Sequence, residues 1–147
     1  MNEIDQARVW QRVRGQTAAD EAEALEALIA REWENACIYL QFSRCLSGQK
    51  AALLHRLFEQ EQAHCACLKG IYAIFTGKKA RTQPVPAVQG SPEQILRGCY
   101  ARQMRTLGAY EARARESEYA HDFARLRDQE MDLCRMVLQV IGELGQS

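Results

Sequence analysis

The sequence predicts an all-α protein, a four-helix bundle with one long crossover, preceded by a short N-terminal helix. Three observations carry this prediction. Long runs rich in Ala, Leu, Glu, Gln and Arg are uninterrupted, because the three prolines and nine glycines fall mostly at segment edges. Four of these runs repeat apolar residues at helical spacing. The breaks between the runs go short, long, short, as in two antiparallel hairpins joined by a crossover.

A single domain is expected over residues 1–147, with residues 1–16 as a helical extension and residues 20–145 as the bundle. In the extension, residues 3–14 place Val9, Trp10 and Val13 on one side and end at Gly15, so this piece is expected to pack across the end of the bundle. Thr17 or Asp20 is the expected N-cap of the first long helix. Its buried stripe runs Leu25, Leu28, Glu32, Ala36, Tyr39, Phe42 and Leu46. Ser47-Gly48 breaks the pattern. A second helix then runs from about Lys50 to Thr76, with Leu54, Leu57, Glu61, His64, Cys65, Leu68, Ile71, Tyr72 and Phe75 in its stripe.

Gly77 to Pro92 has no periodicity and carries Lys78, Lys79, Pro84, Pro86 and Gly90, which reads as a polar connection. About 15 residues can span roughly 50 Å, and a helix of about 27 residues is roughly 40 Å long. The connection can therefore run the length of the bundle and start the third helix beside the beginning of the second. Ser91-Pro92-Glu93 supplies an N-cap followed by proline at the first helical position. The third stripe is Ile95, Leu96, Cys99, Gln103, Thr106, Leu107, Tyr110 and Ala114. After a turn near Arg115-Glu116-Ser117, the fourth is Phe123, Leu126, Glu130, Leu133, Val137, Ile141 and Leu144.

Each stripe is interrupted by a polar residue, and the interruptions share a level. Residues of an antiparallel hairpin face each other when they are equidistant from its turn. Glu32 and Glu61 are equidistant from Leu46-Ser47, and Gln103 and Glu130 from Glu116-Ser117. The spacing of Glu61 and His64, three residues apart, puts both on one helix face, where they can reach the same metal ion. An ionised carboxylate in an apolar layer costs several kcal/mol or is forced neutral. No Arg or Lys falls on these stripes, so the layer calls for a cation, a shared proton or a water-filled space satisfied by the Tyr39 and Tyr110 hydroxyls. A divalent metal suits a set of three carboxylates and one imidazole.

Composition excludes several function classes. Nineteen basic side chains balance nineteen acidic ones, which gives no global field for nucleic acid or an anionic membrane. No apolar run approaches the ~20 residues of a membrane span, and the acidic N-terminus carries no secretory core, so a cytoplasmic protein is expected. The six cysteines fall inside helical patterns, where reduced thiols are the default. Cys99 and Cys134 are equidistant from the second turn and form a candidate redox or soft-metal pair. Cys37 is placed near the same end, Cys65 towards the opposite one, and Cys45 and Cys67 at the periphery. His55 and His121 read as surface residues, and Glu111, Glu118 and Asp132 lie too far from the layer or on another face.

Ala30-Arg31-Glu32 with Tyr39, followed by Glu61-Gln62-Ala63-His64, resembles the ferritin-like di-iron carboxylate superfamily, and in particular the rubrerythrin-related bundles. The run Leu68 to Gly77 has the flavour of its bacterial members, and the likeness covers about residues 20–145. The second half departs from the pattern. Ala101-Arg102-Gln103 with Tyr110 repeats the first motif with an amide in place of the carboxylate. Glu130-x-x-Leu133 repeats the second with leucine in place of histidine. The resemblance implies one metal held by Glu32, Glu61, His64 and Glu130, either iron or another divalent ion such as manganese or zinc. It also implies that the site needing Gln103 and Leu133 is absent or much weaker.

The function implied is metal binding with a role in peroxide or oxygen handling. As an enzyme the protein would be a non-haem iron oxidoreductase, and without a Cys-x-x-Cys donor it would need an external reductant or its own thiols. Family members commonly associate, so a homodimer is implied. Two other readings stand beside this one: a non-catalytic helical module that has lost its metals, and a thiol-based soft-metal or redox sensor.

Overall fold

The computed structural model of the protein describes residues 2–116 and 118–146, without the side chains of residues 4, 11–16 and 116. Met1, Ser147, the Ser117 of the second turn and the side chain of Val13 in the N-terminal stripe therefore lie outside the described residues. Four helices are present among those described: α1 (Glu3–Cys45), α2 (Gly48–Thr76), α3 (Pro92–Glu116) and α4 (Ala120–Leu144).

The N-terminal expectation needs correction. There is no separate short helix and no cap at Thr17 or Asp20, because α1 runs unbroken through Gly15 from an N-cap at Asn2, whose side chain accepts the Asp5 N–H at 2.9 Å. One glycine in a helix interior costs only about 1 kcal/mol, which the helix formers on both sides offset. Nor do Val9 and Trp10 pack across the bundle, being 42% and 62% exposed.

The α1–α2 turn uses Gly48 at φ 68°, and α2 ends on Gly77 at φ 71°, whose N–H bonds to the Ala73 carbonyl. Both sit in the left-handed region that glycine enters without steric cost. At the start of α3 the Ser91 carbonyl accepts the Ile95 N–H at 3.0 Å, ahead of Pro92 at the first helical position. α1 packs on α2 and α3 on α4, and the two hairpins meet through α2 with α4 and α1 with α3.

The connection over residues 77–91 is irregular, as its composition predicts. Near its beginning Ala80 is buried with Leu25, Leu68 and Tyr72 at one end of the molecule. Near its end Val88 packs against the cluster containing Phe42, Leu54 and Ile141 at the other. The Gln41 amide holds Val88 twice, donating to its carbonyl at 2.8 Å and accepting its N–H at 2.9 Å. The crossover thus travels the length of the helices.

The core is two apolar clusters with a polar floor between them. One contains Tyr39, Phe42, Leu54, Leu57, Leu96, Cys99, Leu133 and Val137. The other contains Leu25, Leu28, Leu68, Ile71, Tyr110, Phe123 and Leu126. Between them lie Glu32, Asn35, Glu61, His64, Gln103, Thr106 and Glu130, all buried. No helix among the described residues is long and apolar enough to cross a membrane.

Candidate metal centre

Each helix delivers its polar residue to this floor for the same local reason: the residue occupies a stripe position otherwise filled by an aliphatic or aromatic side chain. Glu32, Glu61 and Glu130 are 0% exposed and His64 is 1% exposed. One ligand atom from each can be chosen so that all four lie within 4.8 Å of one another, a group that could hold a metal ion. Level-matching from sequence places Glu32, Glu61 and Glu130 in one layer with Gln103, and His64 joins them through its three-residue spacing from Glu61.

His64 Nδ1 lies 2.9 Å from Glu32 Oε2 and 3.1 Å from Glu130 Oε2. Its other ring nitrogen, Nε2, lies 3.0 Å from Gln129 Oε1. An amide oxygen can only accept, so Nε2 carries a hydrogen and Nδ1 is the atom turned to the carboxylates. This is how an outer partner fixes the tautomer of a ligating histidine. Nothing in the α4 periodicity singles out Gln129, because its neighbour Glu130 holds the stripe position. Tyr110 donates to Glu32 Oε2 at 3.2 Å, while among the described residues the Tyr39 hydroxyl finds no partner. The two hydroxyls together do not satisfy the layer.

The charges in this layer are strongly perturbed. Burial, then the Glu130 charge, pushes the Glu32 carboxyl up to about 7, against the lowering effect of His64 and Glu61. Burial and the Glu61 charge likewise push Glu130 up to about 7. Glu61 is pushed well above the usual carboxylate range by burial and by the neighbouring Glu32 carboxylate. For His64, burial opposes the charged form, but the hydrogen bond it donates to the Glu130 and Glu32 carboxylates and the charges of Glu32 and Glu61 outweigh it and raise the imidazole to about 11. Protons can thus hold the layer together, and a divalent ion can replace them. The oxygens Glu32 Oε1, Glu61 Oε2 and Glu130 Oε1 are buried without a hydrogen-bond partner. Three carboxylates and one imidazole nitrogen match the preferences of iron(II), manganese(II) or zinc.

The second half of the layer is built differently. Gln103 donates its Nε2 to Glu61 Oε1 at 3.0 Å, so this amide spends itself as a donor to a carboxylate. Leu133 is buried in the apolar cluster with Tyr39 and Val137. The residues expected to lie outside the layer do so: His55 pairs with Glu59 in solvent, Asp132 with Arg135, and Glu111 with Arg115, while Glu118 and His121 are exposed.

All six cysteines are free thiols. Cys99 accepts a bond from Arg102 Nη2 at 3.3 Å, yet burial pushes its thiol up to about 11. Burial and the nearby glutamates push Cys134 up to about 12. A raised thiol is the opposite of the low-pKa thiolate that reacts or binds soft metals, and among the described residues no cysteine joins the metal-competent group. Asn35 and Arg102, whose pairing no sequence pattern marks, meet at 3.0 Å across α1 and α3. Among known protein families, curated proteins and solved structures, none matches this chain.

Proposed function

We propose that this protein is a ferritin-like, rubrerythrin-related metal-binding bundle that holds one divalent ion, iron in the first instance, at Glu32, Glu61, His64 and Glu130. The observation that carries this reading is the convergence of one imidazole and three carboxylates within 4.8 Å in a layer closed off from solvent. The likeness of Ala30-Arg31-Glu32 and Glu61-Gln62-Ala63-His64 to the superfamily's motifs adds to it. A bound metal supplies Lewis acidity and, if iron, one-electron redox capacity. The protein's own part is to hold Nδ1 of His64 in place through Gln129 and to exclude bulk water. Handling of peroxide or oxygen follows from the resemblance and would draw on an external reductant.

Two observations favour a second reading, a non-catalytic helical module. Gln103 and Leu133 take the places of two ligands in the family's pattern, and His64 can serve as the layer's cation by itself. Anaerobic titration with ferrous iron, followed by peroxide, separates the two. The metal reading expects saturation at one ion per chain, a rise in melting temperature and ferrous-to-ferric spectral change. No saturable binding and an unchanged melting temperature would leave the module.

A further inference from the structure

Besides the carboxylates, the polar floor has a side that metal binding does not use. It lies along the seam of α1 and α3. Two interactions set the register of that seam: Arg113 Nε donates to Glu21 Oε1 at 3.1 Å, and Arg102 Nε donates to Asn35 Oδ1 at 3.0 Å. The helices are antiparallel, so stepping one helical turn from the second interaction towards the first brings Arg31 level with Thr106. Here three groups able to donate stand without a partner among the described residues. Arg31 Nε, Asn35 Nδ2 and Thr106 Oγ1 are buried with no hydrogen-bond partner. Asn35 and Thr106 are 0% exposed. The Asn35 carbonyl oxygen is already taken by Arg102.

Charge points the same way. Arg31 and Arg102 are half-buried, and among the described residues neither is paired with a carboxylate. The other α3 arginine on this seam, Arg113, has Glu21 for a partner. The helical register sets the Arg31 guanidinium, the Asn35 amide N–H and the Thr106 hydroxyl on adjoining turns of the seam, a set of donors suited to an anion. A guanidinium edge presents parallel N–H groups that match two oxygens of a planar oxyanion. Packed helices leave little room, with axes about 8–10 Å apart. The glutamates of the neighbouring layer disfavour any ion of higher charge.

We propose that the α1–α3 seam binds a small, planar, monovalent oxyanion between Arg31, Asn35 and Thr106, with Arg102 holding Asn35 in place. The site is independent of the metal reading. Its test is calorimetric titration of the full chain with nitrate and with formate at fixed ionic strength, chloride serving as the comparison. Each titration is done on chelator-treated and on metal-loaded protein. Saturable binding of nitrate or formate in both forms is expected. Losing one charged hydrogen bond in Arg31→Gln or Thr106→Val is expected to weaken it about tenfold or more, and Thr106→Ser, which keeps the hydroxyl, is expected to retain it. If either disruptive variant fails to fold, Arg31→Lys decides, since it keeps the charge and loses the fork, and weaker binding is expected. Absence of saturable binding, equal binding by wild type and the Arg31 variant, or an equal response to chloride overturns the proposal. So does binding that appears only with metal present, which would place the anion on the metal.

Discussion

At the scale of single residues, the candidate centre depends on which nitrogen of His64 is free to ligate. Gln129 settles that by accepting from Nε2 at 3.0 Å. Gln129→Leu is expected to lower metal affinity about 10- to 100-fold, the usual loss when an outer partner of a metal-ligating histidine is removed. A competition titration against a chelator of known affinity measures it. A wild-type affinity in this variant would mean that the ring is oriented by packing against Tyr110 instead, with which it makes an edge contact at 6.3 Å. The double change Gln103→Glu with Leu133→His tests the other half of the layer. It is expected to raise the stoichiometry to two ions per chain, read by metal analysis, at some cost in stability because Leu133 is a well-buried core residue.

At the scale of elements, the crossover is held by few contacts of its own, and Gln41 supplies two of them through Val88. Gln41→Ala leaves both backbone groups of Val88 to find water, a loss of about 1–3 kcal/mol. The expected result is a lower melting temperature and faster proteolysis within residues 78–90, with metal stoichiometry unchanged. The projecting start of α1 is the opposite case. The described side chains of residues 2–10 are exposed, so deleting residues 2–10 is expected to remove little buried surface. The change in stability is expected to stay within about 0.5 kcal/mol, the range of surface substitutions, as a denaturant titration would show.

At the scale of the whole molecule, the buried layer couples stability to pH. Glu32 and Glu130 titrate at about 7 in the fold against 4.5 in a free chain, so between those values the folded protein binds more protons than the unfolded one. Rising pH then costs stability. His64, raised from 6.5 to about 11, adds stability that is complete below 6.5 and is lost as pH climbs through 11. The metal-free protein is therefore expected to melt at progressively lower temperature from about pH 5 to about pH 9. Metal ligation requires those groups deprotonated, so it is expected to release protons, and the metal-induced rise in melting temperature should grow over the same range. Melting curves with and without chelator at several pH values check both signs. A metal-free melting temperature that rises with pH would mean that the carboxylates are ionised and paired in another way.

Much of this was legible in the sequence because helical periodicity is local. The stripes Leu25 to Phe42, Leu54 to Tyr72, Leu96 to Tyr110 and Phe123 to Ile141 follow from a 3.6-residue repeat, and equal distances from the turns place Glu32 with Glu61 and Gln103 with Glu130. The same local reading misjudged Gly15, because whether a glycine ends a helix depends on how strongly its flanks favour continuation. Across helices, periodicity says which face a residue occupies but not what it meets there. That His64 turns Nδ1 inward because Gln129 takes Nε2, that Gln103 serves Glu61 as a donor, and that Arg102 reaches Asn35 rather than a carboxylate are facts of side chains on different helices. The sequence determined the four helices and the level at which their polar residues meet. Which partners meet within that level follows from packing, because hydrogen bonds between helices depend on side-chain orientations that periodicity does not specify.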